Sequence, residues 1–122
     1  MPRDFSRSAR VSEVIQREVA NVLQQEMSDP RVAAVTITYT KMTRDMSSAR
    51  IYFTMRGDES EVKATEKALN KAAGFIRHEL THRVELRYIP KLTFAFDHSL
   101  ERGLRVSKLI EDVIHKEDGE TE

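Results

Sequence analysis

The chain has no cysteine, which excludes disulfides, thiolate metal sites and cysteine nucleophiles and is compatible with a reducing compartment. No apolar run approaches the roughly 18 residues that a membrane span requires. Nor does the N-terminus, Met1-Pro2-Arg3-Asp4-Phe5-Ser6-Arg7, suit a secretory signal, because charge begins at once and no apolar stretch follows. These absences point to a cytoplasmic protein with no membrane attachment. No glycine pair provides a GxxG loop, a Walker loop or a dinucleotide fingerprint, so no cofactor is implied. An excess charge of one sign is missing too, with 20 Lys+Arg against 20 Asp+Glu.

What is present suits one compact domain. A chain of 122 residues can bury roughly two-thirds of the surface that its unfolded form exposes, and 39% hydrophobic residues suffice for a core. The neutral total hides a partition. Residues 111–122 hold six acids against one base, so residues 1–110 carry a net charge of +5 and the tail −5. A moderately basic body with an acidic end is permissive for a polyanionic partner, although solvated charge with a solubilising tail gives the same balance.

Periodicity orders the elements. Ser8 can cap a helix to about Met27, with Val11, Val14, Ile15, Val19, Val22, Leu23 and Met27 on one face and Arg10 and Arg17 together on the other. Asp29-Pro30-Arg31 ends it, since the residue before proline disfavours the helical region. Residues 35–40 and 49–55 alternate with period two, in the first case apolar against hydroxyl, which predicts an antiparallel hairpin around 43–47. After Gly57 a helical stripe runs through Val62, Thr65, Leu69, Ile76, Leu80 and Val84. It keeps register across Gly74, which predicts a kink, a tight contact or two helices meeting at Ala72-Ala73-Gly74. A third strand is expected over 92–97. A last helix should run from a Ser99 cap to about His115, with Val106, Leu109, Ile110, Val113 and Ile114 facing inward. Three strands with helices packed on them make a small α+β domain.

His78-Glu79-Leu80-Thr81-His82 fits the HExxH pattern, two imidazoles one turn apart with a glutamate able to act as base. A third ligand is missing at the metzincin spacing, where Tyr88 stands. With Ile76, Leu80 and Val84 pointing inward, the histidines would lie on an open face unlike the dry cleft that a catalytic zinc needs. They read as an incidental surface pair, with no metal site. The same face brings Lys67, Lys71, Phe75, His78 and His82 within about 80° of one another. Cations around an aromatic suit phosphate contact and base stacking; the alternative is that the kink turns Phe75 into the core and leaves ordinary solvated charge.

Arg10-Val11 to Glu18, Asp29-Pro30-Arg31, Ala72-Ala73-Gly74-Phe75-Ile76-Arg77, Leu86-Arg87, Ile89-Pro90-Lys91-Leu92-Thr93-Phe94, Asp97-His98-Ser99 and Gly103 are each short motifs. In this order and spacing the chain resembles bacterial ribosome-binding factor A. The resemblance implies a type II KH-like fold, αββααβ, in which an Ala-x-Gly kink replaces the GxxG loop and a C-terminal helix follows. Residues 1–116 would form the RNA-binding domain and 117–122 a disordered acidic tail. It further implies a monomeric, non-catalytic assembly factor that binds the free, immature 30S subunit and its 16S rRNA near the 5′-end helix and the decoding region. That factor supports late rRNA maturation and cold adaptation, and its release is linked to a ribosome-associated GTPase. Carried over by position, the RNA-facing residues are Arg10, Lys71, Ala72, Gly74, Arg77, Arg87 and Lys91; Arg17, Lys67, Phe75, His78 and His82 would extend that face. Lys91 stands where many members carry an acid, and Arg77 and Arg87 are open to an alternative role in structural ion pairs. Two other classes make different predictions. A protein-interaction module would bind independently of the cationic patch, and a zinc hydrolase would lose activity in Glu79→Gln.

Overall fold

A computed structural model describes the backbone of residues 2–99 and 109–110 and the side chains of 7–99 and 109–110. Its elements are α1 (Pro2–Gln25), α2 (Pro30–Ala33), β1 (Thr36–Met42), β2 (Ser48–Thr54), α3 (Glu59–Lys71), α4 (Ala73–Leu80) and β3 (Lys91–Phe96). Apart from the short α2, this is the expected αββααβ order, a mixed α+β domain consistent with a KH-like fold.

Helix α1 opens six residues before the expected cap. Proline is well suited to the first helical position, where a missing N–H costs nothing. Ser8 therefore lies inside the helix, a position that costs only a fraction of a kcal/mol relative to alanine. The regular helix stops at Gln25, short of Met27. Asp29 then does more than end it: its carboxylate accepts the Arg31 N–H at 3.0 Å and caps α2, with Pro30 in the first turn. The Arg31 guanidinium also donates to Asp29, at 3.1 and 3.3 Å. Those hydrogen bonds hold the Asp29 carboxyl below its usual range.

The sheet has the order β1-β2-β3, antiparallel between β1 and β2 and parallel between β2 and β3. A parallel neighbour requires a crossover, supplied here by α3 and α4. Ala49, Ile51, Phe53, Leu92 and Phe94 point into the core, where they meet Ile15, Val19, Val22 and Leu23 from α1 and Leu69, Ile76 and Leu80 from α3 and α4. All three longer helices thus share one face of the sheet.

Strand β1 departs from simple alternation. Between Ile37↔Phe53 and Tyr39↔Tyr52 the register slips by one, so Thr38 is a bulge. Unbroken alternation would put Tyr39 on the same face as Ile37; the bulge turns it outward, 55% exposed, and buries Thr40 instead. Two long-range bonds hold this arrangement. Thr38 Oγ1 donates to Asp97 Oδ2 at 2.6 Å, and Ser12 Oγ on α1 donates to the Thr40 carbonyl at 3.2 Å. In the hairpin loop Asp45 accepts from Ser47 Oγ, Ser47 N and Thr43 Oγ1 at 2.7, 3.1 and 2.9 Å. These bonds pull its carboxyl below the usual range, while Met46 takes φ 61°.

The third strand is an edge strand, and α3 covers its open side. Asn70 accepts the Phe94 N–H at 2.8 Å and donates to the Phe94 carbonyl at 2.9 Å, while Glu66 Oε2 accepts the Phe96 N–H at 2.9 Å. Unpaired edge groups invite strand addition; here two side chains occupy them. Beyond β3, Ser99 is already helical and its N–H donates to Asp97 Oδ1 at 2.9 Å, so the cap lies upstream of Ser99. Leu109 and Ile110 are helical but 64% and 55% exposed, not inward-facing as expected, because no described element covers them. The rest of the expected last helix and the acidic tail lie outside the described residues.

Candidate nucleic-acid interface

The helical stripe breaks at Ala72, which closes α3 and opens α4. Its backbone sits at φ −85°, ψ −2°, and its N–H is shared between the carbonyls of Ala68 at 3.0 Å and Leu69 at 3.1 Å. Such three-centre bonds are common where a helix end tightens. Because Leu69 and Ile76 both remain fully buried, the core face continues across the break. Among the described residues no side chain caps α4, whose first residue follows directly on the Ala72 that closes α3.

Gly74 lies in the first turn of α4. A Cβ built on it would meet nothing within 4 Å, so the expected tight contact is not with another part of the protein. The glycine leaves bare backbone facing open space beside the uncapped helix end.

Around this point Lys67, Lys71, Phe75, His78 and His82 are all exposed. Phe75 is 45% exposed, so the kink does not turn it into the core. The described residues offer no ion-pair partner to Lys67 or Lys71. His78 and His82 pack edge to face with ring centroids 5.2 Å apart. Helix α4 ends at Leu80, so His82 lies in the turn that follows, and among the described residues no third metal-ligating side chain joins the pair.

Arg77 is exposed on α4, and among the described residues it meets backbone carbonyls and no carboxylate. Its Nη2 and Nε donate to the Ile89 carbonyl at 2.7 and 3.1 Å, and Nε also reaches the Pro90 carbonyl at 3.3 Å. It ties α4 to the loop before β3. Arg87 lies in that loop, 5.8 Å from the centre of the Tyr88 ring, and Tyr88 is 76% exposed. Arg10 and Arg17 are both exposed on α1; Arg17 lies 3.7 Å from Glu18. Lys91 is not grouped with the kink: it alternates with buried Leu92 and Phe94, so it stands on the open side of the sheet.

Sequence reasoning missed three contributors. Tyr88 adds an exposed aromatic, but a single tyrosine before Ile89-Pro90 has no periodic signal. Arg83 bridges Glu18 at 3.7 Å and Glu26 at 3.3 Å and donates to Gln25 Oε1 at 3.1 Å, fastening the turn after α4 to α1. Asn70, one residue before Lys71, holds α3 on β3. The Arg83 and Asn70 contacts depend on residues far away in sequence.

Comparison with known proteins finds relatives over most of the chain. The profile of the family described as Ribosome-binding factor A matches residues 7–110. A ribosome-binding factor A of Thiobacillus denitrificans is 47% identical over 114 residues, 93% of this chain and 92% of that protein. One from Nitrosococcus oceani is 46% identical over 123 residues, covering 100% and 97%. The crystal structure of ribosome-binding factor A from Thermus thermophilus superposes with a TM-score of 0.65 at 25% identity, covering 73% of this chain and 93% of that one. Coordinates of the Thermus thermophilus factor fitted into a cryo-electron microscopy map of its complex with the 30S subunit give a TM-score of 0.61 at 25% identity, covering 75% and 96%.

Proposed function

The chain belongs to the ribosome-binding factor A family, and from that premise we propose that it binds the immature 30S ribosomal subunit through 16S rRNA as a stoichiometric assembly factor. The observation that carries this reading is the kink. An uncapped helix start, with Gly74 leaving bare backbone beside exposed Lys67, Lys71 and Phe75, is a site where phosphate oxygens can approach amides closely. Helix-dipole charge and the two lysines would hold phosphates, and Phe75 offers a ring to an unpaired base. Arg10, Arg17, Arg87 and the His78–His82 pair extend the face; Arg77 contributes by holding the loop that bears Arg87 and Tyr88.

On this reading the contacts lie near the 5′-end helix and the decoding region of 16S rRNA. The protein acts as a cytoplasmic monomer in late maturation and cold adaptation, performs no chemistry, and leaves the subunit with the help of a ribosome-associated GTPase. Residues 1–116 form the binding domain and 117–122 an acidic tail. Among the described residues no helix is long and apolar enough to cross a membrane.

Co-sedimentation with immature and mature small subunits across a salt series tests the proposal. Lys67→Glu with Lys71→Glu is the informative variant, because neither lysine holds the fold, whereas Arg77→Glu would also release the loop. Losing two phosphate contacts should reduce the slope of log affinity against log salt by about 1.4 to 1.8. A folded variant with the wild-type slope and affinity would exclude the kink as the RNA site.

A further inference from the structure

Among the described residues no element covers the face of the sheet opposite the helices, and its side chains are unusual for a merely solvated surface. Lys41 on β1 lies directly opposite Arg50 on β2, which puts their Cβ atoms about 5 Å apart, and like charges in that position destabilise a sheet. The adjoining rung pairs Tyr39 with Tyr52, ring centroids 5.9 Å apart and planes inclined by 37°. Lys91 and Thr93 on β3 continue the face beside Ser48 and Arg50. The described residues offer Lys41, Arg50 and Lys91 no ion-pair partner. Two carboxylates also line this face, Glu66, which accepts the Phe96 N–H, and Asp97, which accepts from Thr38 Oγ1 and the Ser99 N–H.

The face is also shaped. One groove runs along Tyr39, Lys41, Arg50, Tyr52 and Ala95, and a second, towards the hairpin, shares Lys41, Arg50 and Tyr52 with it. The two adjoin at Lys41, Arg50 and Tyr52, so a cationic rung lies beside an aromatic one. That arrangement is complementary to a polyanion carrying exposed rings, and a duplex hides its rings.

We propose that this open sheet face is a second RNA-binding surface, specific for single-stranded RNA, on which bases stack on Tyr39 and Tyr52 while phosphates lie against Lys41 and Arg50. Its residues are separate from those at the kink. The like-charge rung, a liability in the free protein, is neutralised by the bound strand, and the bulge at Thr38 is what brings Tyr39 to this face.

The test measures binding of the full chain to a fluorescein-labelled, unstructured 12-nucleotide RNA, to a 12-base-pair RNA duplex and to purified small subunits. The variants are Tyr39→Ala, Lys41→Glu with Arg50→Glu, Lys41→Glu alone and the kink variant Lys67→Glu with Lys71→Glu. Tyr39→Ala should weaken the single strand about tenfold and leave the duplex unchanged. The double reversal should lower the salt slope for the single strand by about 1.4. Lys41→Glu alone gives Arg50 a cross-strand ion pair, so it keeps the fold intact and should still lose affinity. The proposal fails if the wild type does not bind the single strand, or if every sheet variant binds it as the wild type does. It also fails if the sheet variants lose small subunits but keep the oligonucleotide, which would mark a protein partner. Loss of the single strand only in the kink variant would overturn this proposal; loss of small subunits only in the sheet variants would instead overturn the kink reading.

Discussion

The kink face of the helices and the open face of the sheet both interleave cations with exposed aromatics, yet they are built by different means. At the kink the side chains follow helical spacing, and exposure of Phe75 needs only a bend that preserves the buried register of Leu69 and Ile76. On the sheet the decisive ring, Tyr39, reaches the surface through one bulged residue that is held by an aspartate 59 residues away. A surface set by local periodicity tolerates most substitutions on it. One set by cross-strand register depends on a few distant bonds.

The largest expected effect removes the scaffold common to both. Phe53 on β2 is fully buried beneath the helices, and Phe53→Ala should destabilise the protein by about 3–5 kcal/mol, as read by chemical denaturation. Oligonucleotide and subunit binding should then fail together; survival of one alone would show that the two faces do not share a core.

A smaller change separates them. Because a Cβ at residue 74 meets nothing within 4 Å, Gly74→Ala should raise stability by up to about 1 kcal/mol while weakening small-subunit binding, since the methyl group occupies the space beside the α4 amides. Single-stranded RNA affinity at the sheet should not change. A variant that is both more stable and equally well bound would remove the reason for placing backbone–phosphate contact at the kink.

The smallest effect concerns pH. Asp29, hydrogen-bonded by Arg31, and Asp45, hydrogen-bonded by Ser47 and Thr43, both have carboxyls lowered in the folded state. Such a group adds stability above its unfolded value of about 4, and that contribution is lost as pH falls through the lower folded value. Asp45 is exposed and Asp29 partly so, so Asp29→Asn and Asp45→Asn should each flatten the acid limb of stability only slightly. A wild-type acid limb in both variants would mean that neither bond persists in solution.

Much of this molecule is legible in its sequence. Helical periodicity gave the inward residues of α1 and the stripe that spans the kink, and period two gave the hairpin and the third strand. Errors fell where a local rule met a distant partner. Ser8 has the chemistry of a cap, but nothing before it stops the helix, so Pro2 takes the start. Arg77 is open to an ion pair by its sequence, but the loop at Ile89 and Pro90 folds back against it and supplies carbonyls. Leu109 and Ile110 have the pattern of an inward face but no described element to cover them.

By itself the sequence determined the class of fold, the order of its elements, the position of the break at Ala72-Ala73-Gly74 and membership of a family, because these depend on spacing within a turn or a strand and on motif order along the chain. Only the tertiary structure decided that Tyr39 faces outward, that Arg77 fastens a loop, that Asn70 and Glu66 cover the edge of β3 and that Lys91 stands with Lys41 and Arg50. Those outcomes depend on carbonyls, amides and carboxylates brought close from 12 to 59 residues away. A backbone group that must be satisfied on burial takes whichever side chain the fold delivers, and no periodicity in the sequence records which one that is.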